Sequence, residues 1–158
     1  MVLKDENQSD EFSLYFNNIK KFESFLVDLL NVNDRENYDP ITQSNKLSKL
    51  LSKILDTLSF LKIEPVCFPV GFLYLEKLKN QGCKISLKNI EMWLMVSLLE
   101  SIKMYDDYYI DNIEYSKFMK INLEIVNLTE DYFLNKLSFK LYVKPEEYDE
   151  FIKKLNLI

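Results

Sequence analysis

Few residues in this chain are able to do acid–base or nucleophilic work. Histidine is absent, which removes Ser-His and Cys-His nucleophile systems, His-ligated metals and any imidazole switch near neutral pH. The only glycines are Gly71 and Gly82, too few for a loop that cradles phosphates. Carboxylates stand side by side at Asp106/Asp107 and Glu146/Glu147. Adjacent residues on a helix point to different sides, and these pairs flank helix ends, so they read as solvated or capping charges. No stretch supplies the spaced acidic loop that calcium needs. Cys67 and Cys83 show neither zinc-site spacing nor the multiplicity of a disulfide framework, and are expected to be reduced thiols. The inventory predicts a non-catalytic protein with no metal and no small-molecule cofactor, a binding module whose partner composition alone does not name.

Charge and hydropathy narrow the partner class. The chain has 158 residues and a formal net charge of -5, and its one arginine is Arg35. Arginine is the side chain that best grips phosphates and guanine edges, so nucleic acid is not an expected partner. The most apolar run, Ile90 to Ile102, carries Glu91 and Glu100 and falls short of the roughly 20 apolar residues a spanning helix requires; no membrane partner is expected. Met1 to Asp10 is polar and acidic, unlike a signal peptide. The expected location is intracellular, in nucleus or cytoplasm. A chain of this length forms one domain by prior and buries roughly 68–70% of its unfolded surface without staples.

The elements that would carry such a surface are helices. Phe12, Phe16, Ile19, Phe22, Leu26, Leu29 and Leu30 recur at three- and four-residue steps, which predicts one helix over Phe12 to Leu30, capped by Asp10. The polar run Asn31 to Pro40 reads as a loop. Leu47, Leu50, Leu51, Ile54, Leu58 and Leu61 share a face of a second helix. A third starts at Pro65 or Pro69 and stops before Gly82, with Pro69 expected at the first helical position. Ser86 is expected to cap a fourth helix to about Tyr105, apolar around nearly its whole circumference and therefore central to a bundle. Asn112 opens a short helix to Met119, Asn122 caps a longer one to Leu137, and Pro145 opens the last. Phe139 to Val143 has no strand to pair with and reads as an extended linker. The fold class is all-α.

Two segments carry a family resemblance. LESIKMYDDYYIDNIEYSKFMKI at 99–121 and the stretch from Asn122 through PEEY at Tyr148 are similar to the cyclin box of the P/U-type cyclins, the phosphate-pathway group. Lys103, Asp106, Asp107, Tyr109, Asn112, Tyr115, Lys117, Asn127, Glu130, Phe133, Leu134, Phe139, Leu141, Val143, Pro145 and Tyr148 fall in the family's order without gaps. EPVCFPVGFLYLEKL resembles its preceding helix through Pro65, Cys67, Phe68, Tyr74 and Leu75. The resemblance covers about residues 47–152. It implies a single cyclin box, a five-helix core with an extra N-terminal helix and a C-terminal helix, laid out as a frayed tail (1–9), an N-terminal helix and loop (10–40), the box (41–143) and the last helix (144–158).

The function implied is that of a regulatory subunit forming a heterodimer with a cyclin-dependent protein serine/threonine kinase, binding the kinase's regulatory helix and activating it. The family's box lysine matches Lys103 and its box glutamate Glu130; Met104, Leu134, Phe139 and Leu141 would form the apolar seat, with Glu100 also facing the kinase. The plainer reading makes Lys103 and Glu130 solvated charges on two amphipathic helices and the apolar residues core packing. A helical adaptor holding a non-kinase peptide in the same groove is the alternative function. The sequence departs from the family at Glu100, where relatives mostly carry a small or aliphatic residue. It departs again at Asp56 and Glu76, which replace an internal Arg–Asp pair and leave Lys53 or Lys77 as candidate compensators, and at Met119-Lys120, which replaces a two-glycine turn.

Overall fold

The computed structural model describes residues 11–39, 43–107 and 110–157, the side chains of 43–45 excepted. Among these the only regular elements are α-helices: α1 (residues 11–17), α2 (Ile19–Leu29), α3 (Val32–Glu36), α4 (Gln43–Phe60), α5 (Cys67–Asn80), α6 (Ile90–Tyr105), α7 (Asn112–Met119), α8 (Leu123–Lys136) and α9 (Pro145–Lys154). The all-α expectation is met. The tail 1–9, the Asp10 cap, Pro40 and Tyr109 lie outside the described residues.

Local chemistry accounts for most helix ends. Asn122 Oδ1 accepts from the Ile125 amide at 3.1 Å and Asp111 Oδ1 from the Glu114 amide at 2.7 Å, each satisfying an orphan first-turn donor. Pro145 opens α9 at its first position, where a missing N–H costs nothing. Gly82 takes φ +91° just past α5, a conformation cheap only for glycine.

Four expectations need correction. The predicted first helix is two, α1 and α2, separated by a turn at Asn18 whose side chain donates back to the Leu14 carbonyl. The predicted loop after Asn31 contains α3, capped by Asn31 and fastened at long range: the Asn31 amide bonds the Ile85 carbonyl at 2.9 Å, and Asp34 accepts from the Leu87 amide at 2.9 Å. Pro69 is the third residue of α5, not the first, still within the turn whose amides lack intrahelical acceptors. Finally, α6 begins at Ile90 with Asn89 before it, and Ser86 starts only the preceding turn.

The core is built around α6, which buries Ile90 and the unbroken run Leu94 to Ile102 and packs most extensively on α5 and then α8. Gly71 permits the α5 contact: a Cβ there would lie 2.6 Å from Leu98 Cδ2. An aromatic ladder joins the ends of the chain to this centre. Phe22 meets Phe68 and Phe72 at ring-centroid distances of 4.8 and 4.9 Å, and Phe25 meets Phe151 of α9 edge-on at 5.3 Å. Glu76 pairs with Lys154 of α9, and Lys77 with Glu147 at 2.7 Å. Neither expected lysine takes Glu76; the C-terminal helix supplies its cation.

Candidate functional site

Lys103 sits in the last turn of α6, where its charge complements the helix C-terminus. Its ammonium donates to Glu130 Oε2 and to Asn112 Oδ1, each at 2.7 Å. Asn112, the first residue of α7, turns its amide the other way and donates to Glu130 Oε1 at 2.9 Å and to Asn127 Oδ1 at 2.8 Å. Three helices thus converge on one polar cluster. Asn127 and Glu130 are three apart on α8, as Glu100 and Lys103 are on α6, so each pair shares a helix face. The α7 arm is held in place by Tyr115, whose fully buried hydroxyl donates to the Met95 carbonyl of α6 at 2.5 Å.

The cluster is half-buried. Lys103 and Glu130 side chains keep 26% and 16% of their exposure, enough to meet a partner and little enough that water does not erase their attraction. Glu100 differs from the expected kinase-facing position: it is 3% exposed, lies beneath the pair, and its Oε1 has no hydrogen-bond partner. Burial, then the hydrogen bond with and charge of Glu130, push the Glu100 carboxyl up to about 9 against a smaller opposing pull from Lys103. Burial also raises Glu130, but hydrogen bonds from Glu100, Lys103 and Asn112, with the Lys103 charge, outweigh it and hold that carboxyl below its usual range. The two carboxyls are thus pushed in opposite directions, Glu100 up and Glu130 down.

Beside it lie the apolar residues. Met104, adjacent to Lys103, is 43% exposed and Phe139 is 64% exposed, while Leu134 and Leu141 are partly buried against the core. The segment bearing Leu141 is tied to the same helix end. Tyr74 Oη donates to the Leu141 carbonyl at 2.6 Å, and the Val143 amide donates to Tyr105 Oη at 2.7 Å. Asp106, the cap of α6, accepts from the Glu64 amide at 2.6 Å, so this carboxylate staples the start of α5 to the end of α6. Phe139 is not part of an extended linker as predicted. Ser138 and Phe139 both adopt left-handed backbone, φ +54° and +57°, and the Phe139 amide bonds the Leu134 carbonyl at 2.9 Å. The chain past α8 folds back on its last turn and leaves the Phe139 ring outside.

Sequence reasoning paired Lys103 with Glu130 and missed what holds them, the Asn112–Asn127 bridge and the buried acid. The i,i+3 spacing of Asn127 with Glu130 and of Glu100 with Lys103 was the available signal. The thiols stand apart from this chemistry: Cys67 and Cys83 are free and buried, and burial raises both above the ordinary thiol range.

The family profile described as Cyclin matches residues 3–141. Among curated proteins the chain is similar to Cyclin-U4-1 of Arabidopsis thaliana, 29% identical over 93 residues, 58% of this chain and 46% of that protein. It is similar also to Cyclin-U4-2 of the same plant, 31% identical over 91 residues, 56% and 42% of the two chains. Cyclin-P4-1 of Oryza sativa subsp. japonica is 26% identical over 91 residues, 56% of this chain and 43% of that protein. The chain thus spans less than half the length of these three relatives, and no solved structure matches it. With a profile that covers most of its residues, relatives of the U and P types and an all-α architecture, the chain belongs to the cyclin family, as a P/U-type cyclin-box protein.

Proposed function

We propose that the chain is the non-catalytic regulatory subunit of a cyclin-dependent protein serine/threonine kinase, forming a heterodimer with it inside the cell, in nucleus or cytoplasm. It docks on the kinase's regulatory helix and presses that helix inward, which completes the ATP-holding Lys–Glu pair of the kinase. The observation that carries this reading is the Lys103–Glu130 contact at 2.7 Å, with Met104 next to Lys103 in the chain exposed and Phe139, bonded back to the last turn of the helix that bears Glu130, exposed as well.

The chemistry of docking follows from helix ends. The last carbonyls of a helix lack intrahelical partners and carry partial negative charge. Lys103 uses two of its three donors on Glu130 and Asn112, which leaves one for such a carbonyl. Glu130 accepts from Lys103 and Asn112 and keeps acceptor capacity for an amide just past the partner helix. Met104, Phe139, Leu134 and Leu141 supply the apolar contact, the residue classes that anchor interface cores. We assign the box itself to residues 41–143, with 10–40 and 144–158 as flanking helical segments.

Co-expression with cyclin-dependent kinases and measurement of peptide phosphorylation tests the reading. Lys103→Ala and Glu130→Ala each lower the apparent affinity by about tenfold or more, since each removes a charged group from the docking surface, while the chain stays folded at the assay temperature with a melting point lowered by the unpaired partner. Kinase activity indifferent to both substitutions removes the assignment. Stable capture of a kinase-free partner through the same residues identifies a helical adaptor instead.

A further inference from the structure

We propose that Asn112 is a positioning residue: the two ends of its amide fix the Lys103 ammonium and the Glu130 carboxylate at once, so that the pair meets its partner in a single arrangement. The inference rests on the docking role proposed for the Lys103–Glu130 pair. It extends that role from the charges that meet the kinase to the neutral side chain that aims them.

Four hydrogen bonds carry it. The Lys103 ammonium donates to Asn112 Oδ1 and to Glu130 Oε2, each at 2.7 Å. The Asn112 amide nitrogen donates to Glu130 Oε1 at 2.9 Å and to Asn127 Oδ1 at 2.8 Å. An ammonium held by a single acceptor still turns about its last carbon–nitrogen bond; a second acceptor stops that rotation and gives the remaining N–H one direction. A carboxylate has a broad terminal torsion, and here Lys103 takes one oxygen and Asn112 the other. Lysine only donates and a carboxylate only accepts, so the group between them must do both, which a short amide does at fixed separation. Aspartate lacks the donor, and alanine lacks both.

The helix that bears Asn112 does not need this side chain. Asn112 is the first residue of α7, but the cap is Asp111, which accepts from the Glu114 amide at 2.7 Å, and Tyr115 anchors the helix to α6. The Asn112 side chain reaches α6 and α8 instead. By itself the Lys103–Glu130 pair is partly exposed, a setting in which an ion pair with one point of contact contributes little. The amide turns it into a closed ring of three side chains, and Asn127 holds the amide from α8. A ring formed before the partner arrives avoids the ordering that a loose pair would undergo on docking. Burial raises the Glu130 carboxyl, and Asn112 is one of the groups, after Glu100 and Lys103, that bring it below its usual range.

The test uses the full chain, alone and with a cyclin-dependent kinase. Asn112→Ala removes both ends of the amide. Asn112→Asp keeps the acceptor and adds a charge that suits the first turn of a helix, so it folds while lacking the donor. In carboxyl-carbon NMR titration of the chain alone, Glu130 titrates at higher pH in the alanine variant than in wild type. It titrates higher again in the aspartate variant, whose charge opposes that of Glu130. In kinase binding each variant loses about fivefold, the scale of one net hydrogen bond. In a chain that already carries Lys103→Ala and Glu130→Ala, measured at raised concentration, Asn112→Ala causes no further loss, because a residue that acts through the pair has nothing left to position. A side chain that touched the kinase directly, or merely supported the fold, would lose the same factor in both backgrounds. A Glu130 titration unmoved by Asn112→Ala, or equal losses in the two backgrounds, overturns the inference. Absence of any kinase binding by the wild-type chain overturns the docking reading alone, because the titration of the free chain still decides whether Asn112 fixes the pair.

Discussion

At the scale of single residues, the cluster on α6, α7 and α8 shows how two identical side chains acquire opposite states. Glu100 is raised and Glu130 lowered, so their linkage to folding has opposite sign. Glu130, held below its usual range, favours the folded state above its unfolded value of 4.5, and that contribution is lost as pH falls through the lower folded value. Glu100 is raised to about 9; its contribution is complete below the unfolded value of 4.5 and is lost progressively as pH rises toward 9. Replacing Glu100 by leucine removes both this loss and the unpartnered Oε1, whose burial costs about 1–3 kcal/mol. The variant is expected to melt above wild type by at least about 3 °C at pH 8, with a gap that narrows toward pH 5. Melting curves across that range check it, and a gap that widens on acidification contradicts it.

At the scale of elements, helix ends carry the strain. Lys120 follows α7 with φ +57°, and its amide bonds the Ser116 carbonyl, the geometry for which glycine is favoured. Here a lysine takes the left-handed position. Lys120→Gly is expected to stabilise the chain by about 1 kcal/mol, because a non-glycine residue pays roughly that much for left-handed backbone; urea titration with an unchanged slope is the check. Phe139 makes a sharper case. Its backbone is equally strained, and its ring is mostly in solvent, so Phe139→Gly gains on the order of 1 kcal/mol and gives up little packing. If the ring anchors the kinase helix, the same variant loses about tenfold or more in affinity. A variant both more stable and equally tight-binding would remove Phe139 from the docking surface.

At the scale of the molecule, the buried apolar residues form one continuous cluster from Phe12 through Leu155. Phe22 is fully buried against Phe68 and Phe72, and Phe25 closes on Phe151. The flanking helices therefore share their core with the box, and unfolding is expected as a single transition followed alike by far-UV dichroism and by the fluorescence of Trp93. Phe22→Ala is expected to cost about 3–5 kcal/mol and to lower that one transition; an independent early melting of the N-terminal helices would show two units.

The division between what was legible and what was not follows the range of the physics. Leu47 to Leu61, the apolar girth of α6, the Asn122 cap, Pro145 and Gly82 all act within a turn or two of chain, and each could be read one residue at a time. The helix at Val32–Glu36 could not, since it is fastened by bonds such as that of Asp34 to the Leu87 amide, which join residues 53 apart in sequence; the break at Asn18 and the outward Phe139 rest on local bonds to the Leu14 and Leu134 carbonyls that interrupt no apolar period. The site divides in the same way. Composition excluded histidine-based chemistry, and family spacing singled out Lys103 and Glu130. That a second carboxyl, Glu100, lies buried with an unmet oxygen was decided only when α6, α7 and α8 packed together, because burial and the identity of a neighbour across a helix interface are written in no local pattern.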